Sequence, residues 1–144
     1  MAKVKLDELR ARLRARGLRA TPSRLAVLEL LLSDQADQPR SHAEVVSALA
    51  SGPWDPATIY RNLTDLVEAG LARRTDVGDH VWRFEAVDGK HDSTAHPHFV
   101  CTECGTVECL PVMKELVAPR AKTPRALKQR QVEVQVRGLC DTCL

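Results

Sequence analysis

The sequence predicts an α+β protein of two small modules. The first is helical and ends in a β-hairpin; the second is a small α/β unit closed by a metal. Three observations predict this. Thr21-Pro22, Ser41-His42-Ala43-Glu44 and Asp55-Pro56 each have the form of a helix cap and each opens an apolar-periodic stretch. Strict alternation over 80–85 and 131–139 marks strands. Two matched pairs, Cys101-Thr-Glu-Cys104 and Cys140-Asp-Thr-Cys143, tie the C-terminus to the middle of the chain. Two intervening residues let one tight turn aim both sulfurs at a tetrahedral ion. Either pair alone would also suit a thioredoxin-like redox site. Both together in a chain of 144 residues point to a closed structural zinc site, one ion per chain.

Leu6, Leu9 and Leu13 fall at helical spacing, and Gly17 is the expected stop. Thr21 then caps a helix over 23–32, with Leu25, Leu28, Leu31 and Leu32 facing inward. Residues 33–40 are polar, hold a proline and read as loop. The capping box at Ser41 opens a short helix carrying Val45, Val46 and Leu49, broken by Gly52-Pro53. Asp55-Pro56 opens a further helix over 57–69 that ends at Gly70. Its buried stripe is Ile59, Leu63, Leu66 and Val67, with Tyr60, Arg61 and Thr64 off the stripe. Helix, short turn and polar-faced helix make a helix-turn-helix. Strands over 71–75 and 80–85 about a turn containing Gly78 add a hairpin, the wing of a winged helix. Residues 88–95 are polar and read as a linker. Short strands at Phe99-Val100 and Thr106-Val107, a weak helix over 112–117 and the alternating strand over 131–139 complete the second module.

Aromatics are only 3% of the chain, so two thin cores of Leu, Val and Ala need a metal staple or a dimer interface. No apolar run approaches the roughly 20 residues that span a bilayer, so no membrane partner is expected. The first residues lack a signal-peptide core. A cytoplasmic protein is therefore expected, in which paired cysteines favour metal over disulfide. Net charge is only +2, but through Arg24 eight bases face two acids. That excess suits a polyanion, the phosphate backbone being the usual one, and equally suits a solvated arginine-rich helix.

A winged helix, His96-Pro-His98 before the first cysteine pair, and a second pair at the C-terminus together resemble the ferric uptake regulator (Fur) family, most closely its zinc-responsive members. The matching segments are Gly17-Leu-Arg19-Ala-Thr21-Pro-Ser-Arg24, Ala57-Thr58-Ile-Tyr60-Arg61-Asn-Leu63, Leu66 to Leu71, His96 to Gly105 and Gly138 to Cys143. The resemblance implies a DNA-binding module over 1–86, a hinge over 87–95, and a dimerisation and metal-binding module over 96–144. It implies a homodimeric repressor of transcription, not an enzyme, that binds double-stranded operator DNA when loaded with metal. It also assigns Cys101, Cys104, Cys140 and Cys143 to structural zinc.

The family's regulatory site draws on both modules, and position carries over His96, His98 and Glu85. The usual ligand before the third helix falls on Pro39 by strict counting, so His42 is the expected substitute. Where the family often has a carboxylate, this chain has Cys109. A thiolate favours zinc over iron or manganese, although a lone cysteine is also an ordinary core residue. With Ala95 and Pro97 flanking the His-x-His and no later histidine, two metals per chain are expected rather than three. His80 reads as a surface or phosphate-contacting residue, and His91 could approach the metal if its segment folds back; either could replace an expected ligand. Thr58, Tyr60 and Arg61 are the expected base contacts, and Arg19, Arg24, Arg73 and Arg74 the phosphate contacts. An iron- or manganese-dependent or peroxide-sensing regulator is the close alternative. A thiol oxidoreductase is the alternative of another class. Hydrolytic zinc chemistry lacks both a His-Glu-x-x-His motif and an open coordination position.

Overall fold

A computed structural model describes residues 5–33, 38–87, 96–111, 124–128 and 133–144. The chain divides into two units, Met1–Asp88 and Gly89–Leu144. In the first, helix α1 (Leu6–Ala15) buries Leu9 and Leu13 and gives way to Gly17 at φ +76°, a left-handed position that glycine occupies without a Cβ clash. Leu6, at the start of the same stripe, stays 49% exposed. Helix α2 (Pro22–Leu31) starts where Thr21 Oγ1 accepts from the Arg24 N–H at 3.3 Å. It buries Leu25, Val27, Leu28 and Leu31, whereas Leu32, expected on this inward face, is a half-buried C-cap.

The capping box at Ser41 is complete. Ser41 Oγ accepts from the Glu44 N–H at 3.2 Å, and the Glu44 carboxylate accepts from the Ser41 N–H at 2.8 Å. Both serve helix α3 (His42–Ala48). Just before it, Arg40 and Ser41 form strand β1 (Arg40–Ser41). That end of the stretch read as loop is a strand because it pairs with the hairpin, and two residues are too few to carry a period. Helix α4 (Pro56–Glu68) starts at Asp55, whose Oδ1 accepts from the Thr58 N–H at 2.7 Å. Ile59, Leu63 and Leu66 are buried, with Asn62 beside them; Val67 is only half-buried. Strands β2 (Ala72–Asp76) and β3 (Trp82–Ala86) pair antiparallel, and β1 joins the far edge of β3. This three-stranded sheet behind a helix-turn-helix is a winged helix. Two polar links set how α2 crosses α4: Asn62 donates to Ser23 Oγ at 2.9 Å inside the core, and Arg24 pairs with Asp65 at 2.6 Å.

In the second unit, strand β4 (His98–Cys101) is central. Strand β5 (Val107–Cys109) pairs with it antiparallel and strand β6 (Gln135–Gly138) parallel. A short helix α5 (Arg125–Lys128) precedes β6. Strand β6 is shorter than the alternation over 131–139 suggests, and its Val136 is half-buried. The expected helix over 112–117, the linker over 88–95 and His91 lie outside the described residues. Among the described residues no helix is long and apolar enough to cross a membrane.

Candidate metal centres

Register builds the four-cysteine cluster. Parallel pairing sets Cys101 opposite Gly138, so Cys140, two residues further on, arrives beside Cys101. The Thr102 N–H donates to the Gly138 carbonyl at 2.9 Å and continues the ladder into both turns. The first turn closes with the Gly105 N–H on the Cys101 carbonyl, Gly105 standing at φ +75°. The second closes with the Cys143 N–H on the Cys140 carbonyl at 3.0 Å. Cys101, Cys104, Cys140 and Cys143 then lie with their sulfurs within 4.8 Å of one another.

These residues fit a tetrahedral zinc. Zinc–sulfur bonds of about 2.3 Å give a tetrahedral sulfur–sulfur edge of about 3.8 Å, and Cys104 Sγ and Cys140 Sγ lie 3.7 Å apart. The protonation pattern fits as well. Backbone N–H donation from Cys104, and a second from Cys140, brings the Cys101 thiol down to about 6. The Thr106 hydroxyl, 3.1 Å from Cys104 Sγ, lowers that thiol too. Cys143 is pushed up to about 12 by its hydrogen bonds to Cys140 and Cys104. The donors around Cys101 and Cys104 thus favour thiolate, the form in which cysteine binds zinc. Thr106 was not singled out by the sequence; a hydroxyl two residues after a ligand cysteine carries no pattern of its own.

A second cluster forms on the same sheet. Antiparallel pairing sets Cys109 directly opposite His98, and directly opposed residues share a face. His96 stands two residues before His98, and the Leu110 N–H on the Pro97 carbonyl at 2.8 Å extends the ladder to it. The rings of His96 and His98 have centroids 4.7 Å apart. One ligand atom from each of His96, His98 and Cys109 lies within 4.8 Å of the other two. Both histidines are buried and Cys109 is half-buried. Glu85 ends the wing in the other unit, on β3, and is 5% exposed.

His42 belongs to the first unit, at the start of α3. Its Nε2 lies 2.8 Å from the Pro56 carbonyl oxygen, and its ring stands edge-on to Tyr60. A carbonyl can only accept, so Nε2 carries the proton and Nδ1 is the acceptor nitrogen of the ring. As the first residue of α3, it faces the start of α4. Among the described residues no group of potential metal ligands includes it. His80 is exposed in the wing turn at φ +60°.

Of the residues expected to meet DNA, Arg19, Tyr60, Arg61 and Arg74 are exposed, and Thr58 and Arg73 are half-buried. The Arg74 guanidinium lies 4.5 Å over the Trp82 ring. Arg24 differs. It donates to the Arg19 carbonyl at 2.8 Å and pairs with Asp65, with its side chain 14% exposed. These contacts tie α2 to α4. Its partner lies 41 residues away, and no local pattern could have announced the pair.

Residues 15–136 match the ferric uptake regulator family. A ferric uptake regulation protein of Legionella pneumophila is 35% identical over 88% of this chain and 92% of its own length. The peroxide operon regulator of Bacillus subtilis (strain 168) is 29% identical over 99% and 96%. The solved structure of holo XcZur is similar with a TM-score of 0.57 and 27% identity, over 96% of this chain and 98% of that one.

Proposed function

The chain belongs to the ferric uptake regulator family of metal-responsive transcriptional regulators, which are not enzymes, and from that premise we propose that it is a zinc-responsive repressor binding operator DNA as a homodimer. The observation that carries the zinc assignment is the convergence of Cys109 with His96 and His98 on one face of the second sheet. A thiolate with two imidazoles is a borderline-soft donor set that suits zinc better than iron or manganese. The similarity to holo XcZur supports the same reading.

In this reading Glu85, the buried carboxylate at the end of the wing, completes the ligand set from the first unit. A divalent cation supplies a cross-link that only one arrangement of the two units can satisfy. Ligands drawn from both units therefore give the metal differential affinity for that arrangement, as a population shift requires. The exposed side of α4, with Tyr60 and Arg61 and with Thr58 near its start, enters the major groove. Arg19, Arg73 and Arg74 neutralise phosphates, so Arg74→Ala lowers the salt slope of binding by about one unit. The second unit carries the dimer contact, and the four-cysteine zinc holds that unit's termini together.

The test uses a duplex enriched from a random pool by the zinc-loaded protein. Mild chelation empties the regulatory site while leaving one zinc on the four cysteines. Zinc is expected to restore duplex binding at a free concentration where ferrous and manganous ions do not. Restoration by either of those ions, with zinc inactive, overturns the assignment.

A further inference from the structure

We propose that His42 is a positioning residue for DNA reading, holding Tyr60 in the orientation in which it meets the groove. The inference rests on the DNA-binding role of α4 set out above. It starts from two contacts that His42 makes with α4. His42 Nε2–H donates to the Pro56 carbonyl oxygen at 2.8 Å. Its ring lies edge-on to that of Tyr60, with centroids 5.3 Å apart and planes at 77°, within the range that aromatic edge-to-face pairs favour.

Both ends of His42 are fixed independently of Tyr60. Its backbone is the first residue of α3, locked by the reciprocal bonds of Ser41 and Glu44. Its ring is pinned by a carbonyl in the first turn of α4. Pro56 and Tyr60 are four residues apart on that helix and therefore share a face. His42 thus reaches across the turn between the helices and leans on that face where Tyr60 projects. Tyr60 needs such a support, because it is 44% exposed on the outer side of α4. An exposed tyrosine otherwise samples several side-chain rotamers, and ordering it on binding lowers affinity. The support is a steric and aromatic one.

The test is a double-mutant cycle between H42A and Y60A, read as affinity for the selected duplex and for a scrambled duplex, on full-length protein loaded with zinc. His42→Ala is expected to lower selected-duplex affinity about five- to tenfold while scrambled-duplex affinity stays within twofold. In the Tyr60→Ala background the same change is expected to cost less than twofold, because pairs in contact are not additive. His42→Gln, which keeps an N–H for Pro56 and lacks the ring, reproduces most of the loss and serves if H42A folds poorly. Zinc content of two per chain is expected in every variant. Tyr60 is the chain's one tyrosine, so nuclear Overhauser contacts between imidazole and tyrosine ring protons in DNA-free protein are a second readout, expected in wild type. Additive losses in the cycle, loss of one zinc in H42A, or absence of the ring contacts would each overturn the proposal while leaving the regulator reading intact. A wild-type protein that binds no selected duplex with any metal would overturn both.

Discussion

At the scale of single residues, the chemistry divides between groups that could hold metal and groups that position their neighbours. Cys109 is the most informative because its position could equally have served a small core side chain. The pairing of Cys109 with His98 across two strands brings its sulfur to the two imidazoles. Replacing it by serine trades a soft donor for a weakly basic hydroxyl. Cys109→Ser is expected to weaken regulatory zinc by at least about tenfold, comparable to or beyond the effect of disturbing an outer-shell partner. The four-cysteine zinc should remain, so competition with a chromogenic chelator shows one weakened and one unchanged ion; two unchanged ions would remove Cys109 from the ligand set. The paired cysteines were legible from spacing alone, since a turn of fixed length dictates where two sulfurs point. The contacts of His42 and Arg24 were not, because an imidazole or a guanidinium suits several partners and tertiary neighbours decide which. His42 met Pro56 and Tyr60, and Arg24 met Asp65.

At the scale of elements, the caps decide where the helices of the first unit begin, and each cap was readable because its side chain acts within three residues. Ser41→Ala removes one half of the capping box under α3 and is expected to cost about 1 kcal/mol of stability, measured by urea unfolding. Asp55 gives a pH-dependent counterpart. Its carboxyl is held below the ordinary 3.8 by hydrogen bonds from Thr58, side chain first and then backbone. A folded value below the unfolded one means that the cap's contribution is complete above pH 3.8 and is lost as pH falls through the lowered value. Asp55→Ala should therefore unfold earlier than wild type at neutral pH, and the gap in melting temperature should close in strong acid. A gap that stays constant down through that range would deny the carboxylate its capping role. Elements joined by distant partners were harder to read. Strand β1 is two residues long and exists because Arg40 and Ser41 lie against Phe84 and Arg83. The parallel pairing of β4 with β6, which delivers Cys140 to Cys101, leaves no periodic trace in either strand.

At the scale of the whole molecule, two units with thin cores share one chain, and each has its own source of definition. The first relies on a leucine-rich core under the winged helix; the second relies on a three-stranded sheet whose ends converge on four cysteines. This organisation was legible because cap signals crowd the first half and metal ligands the second. In the function proposed above, a cation held by Glu85, His96, His98 and Cys109 couples the units and so couples metal to DNA. Coupling between two ligands is commonly 1–3 kcal/mol, about 5- to 150-fold in affinity. The most direct measurement is the affinity of the selected duplex for protein carrying one zinc per chain against protein carrying two. The account predicts binding at least about fivefold tighter with the second zinc, and zinc binding tightened by the same factor when the duplex is present. Equal affinities for the one-zinc and two-zinc forms, with the four-cysteine zinc intact in both, would contradict it.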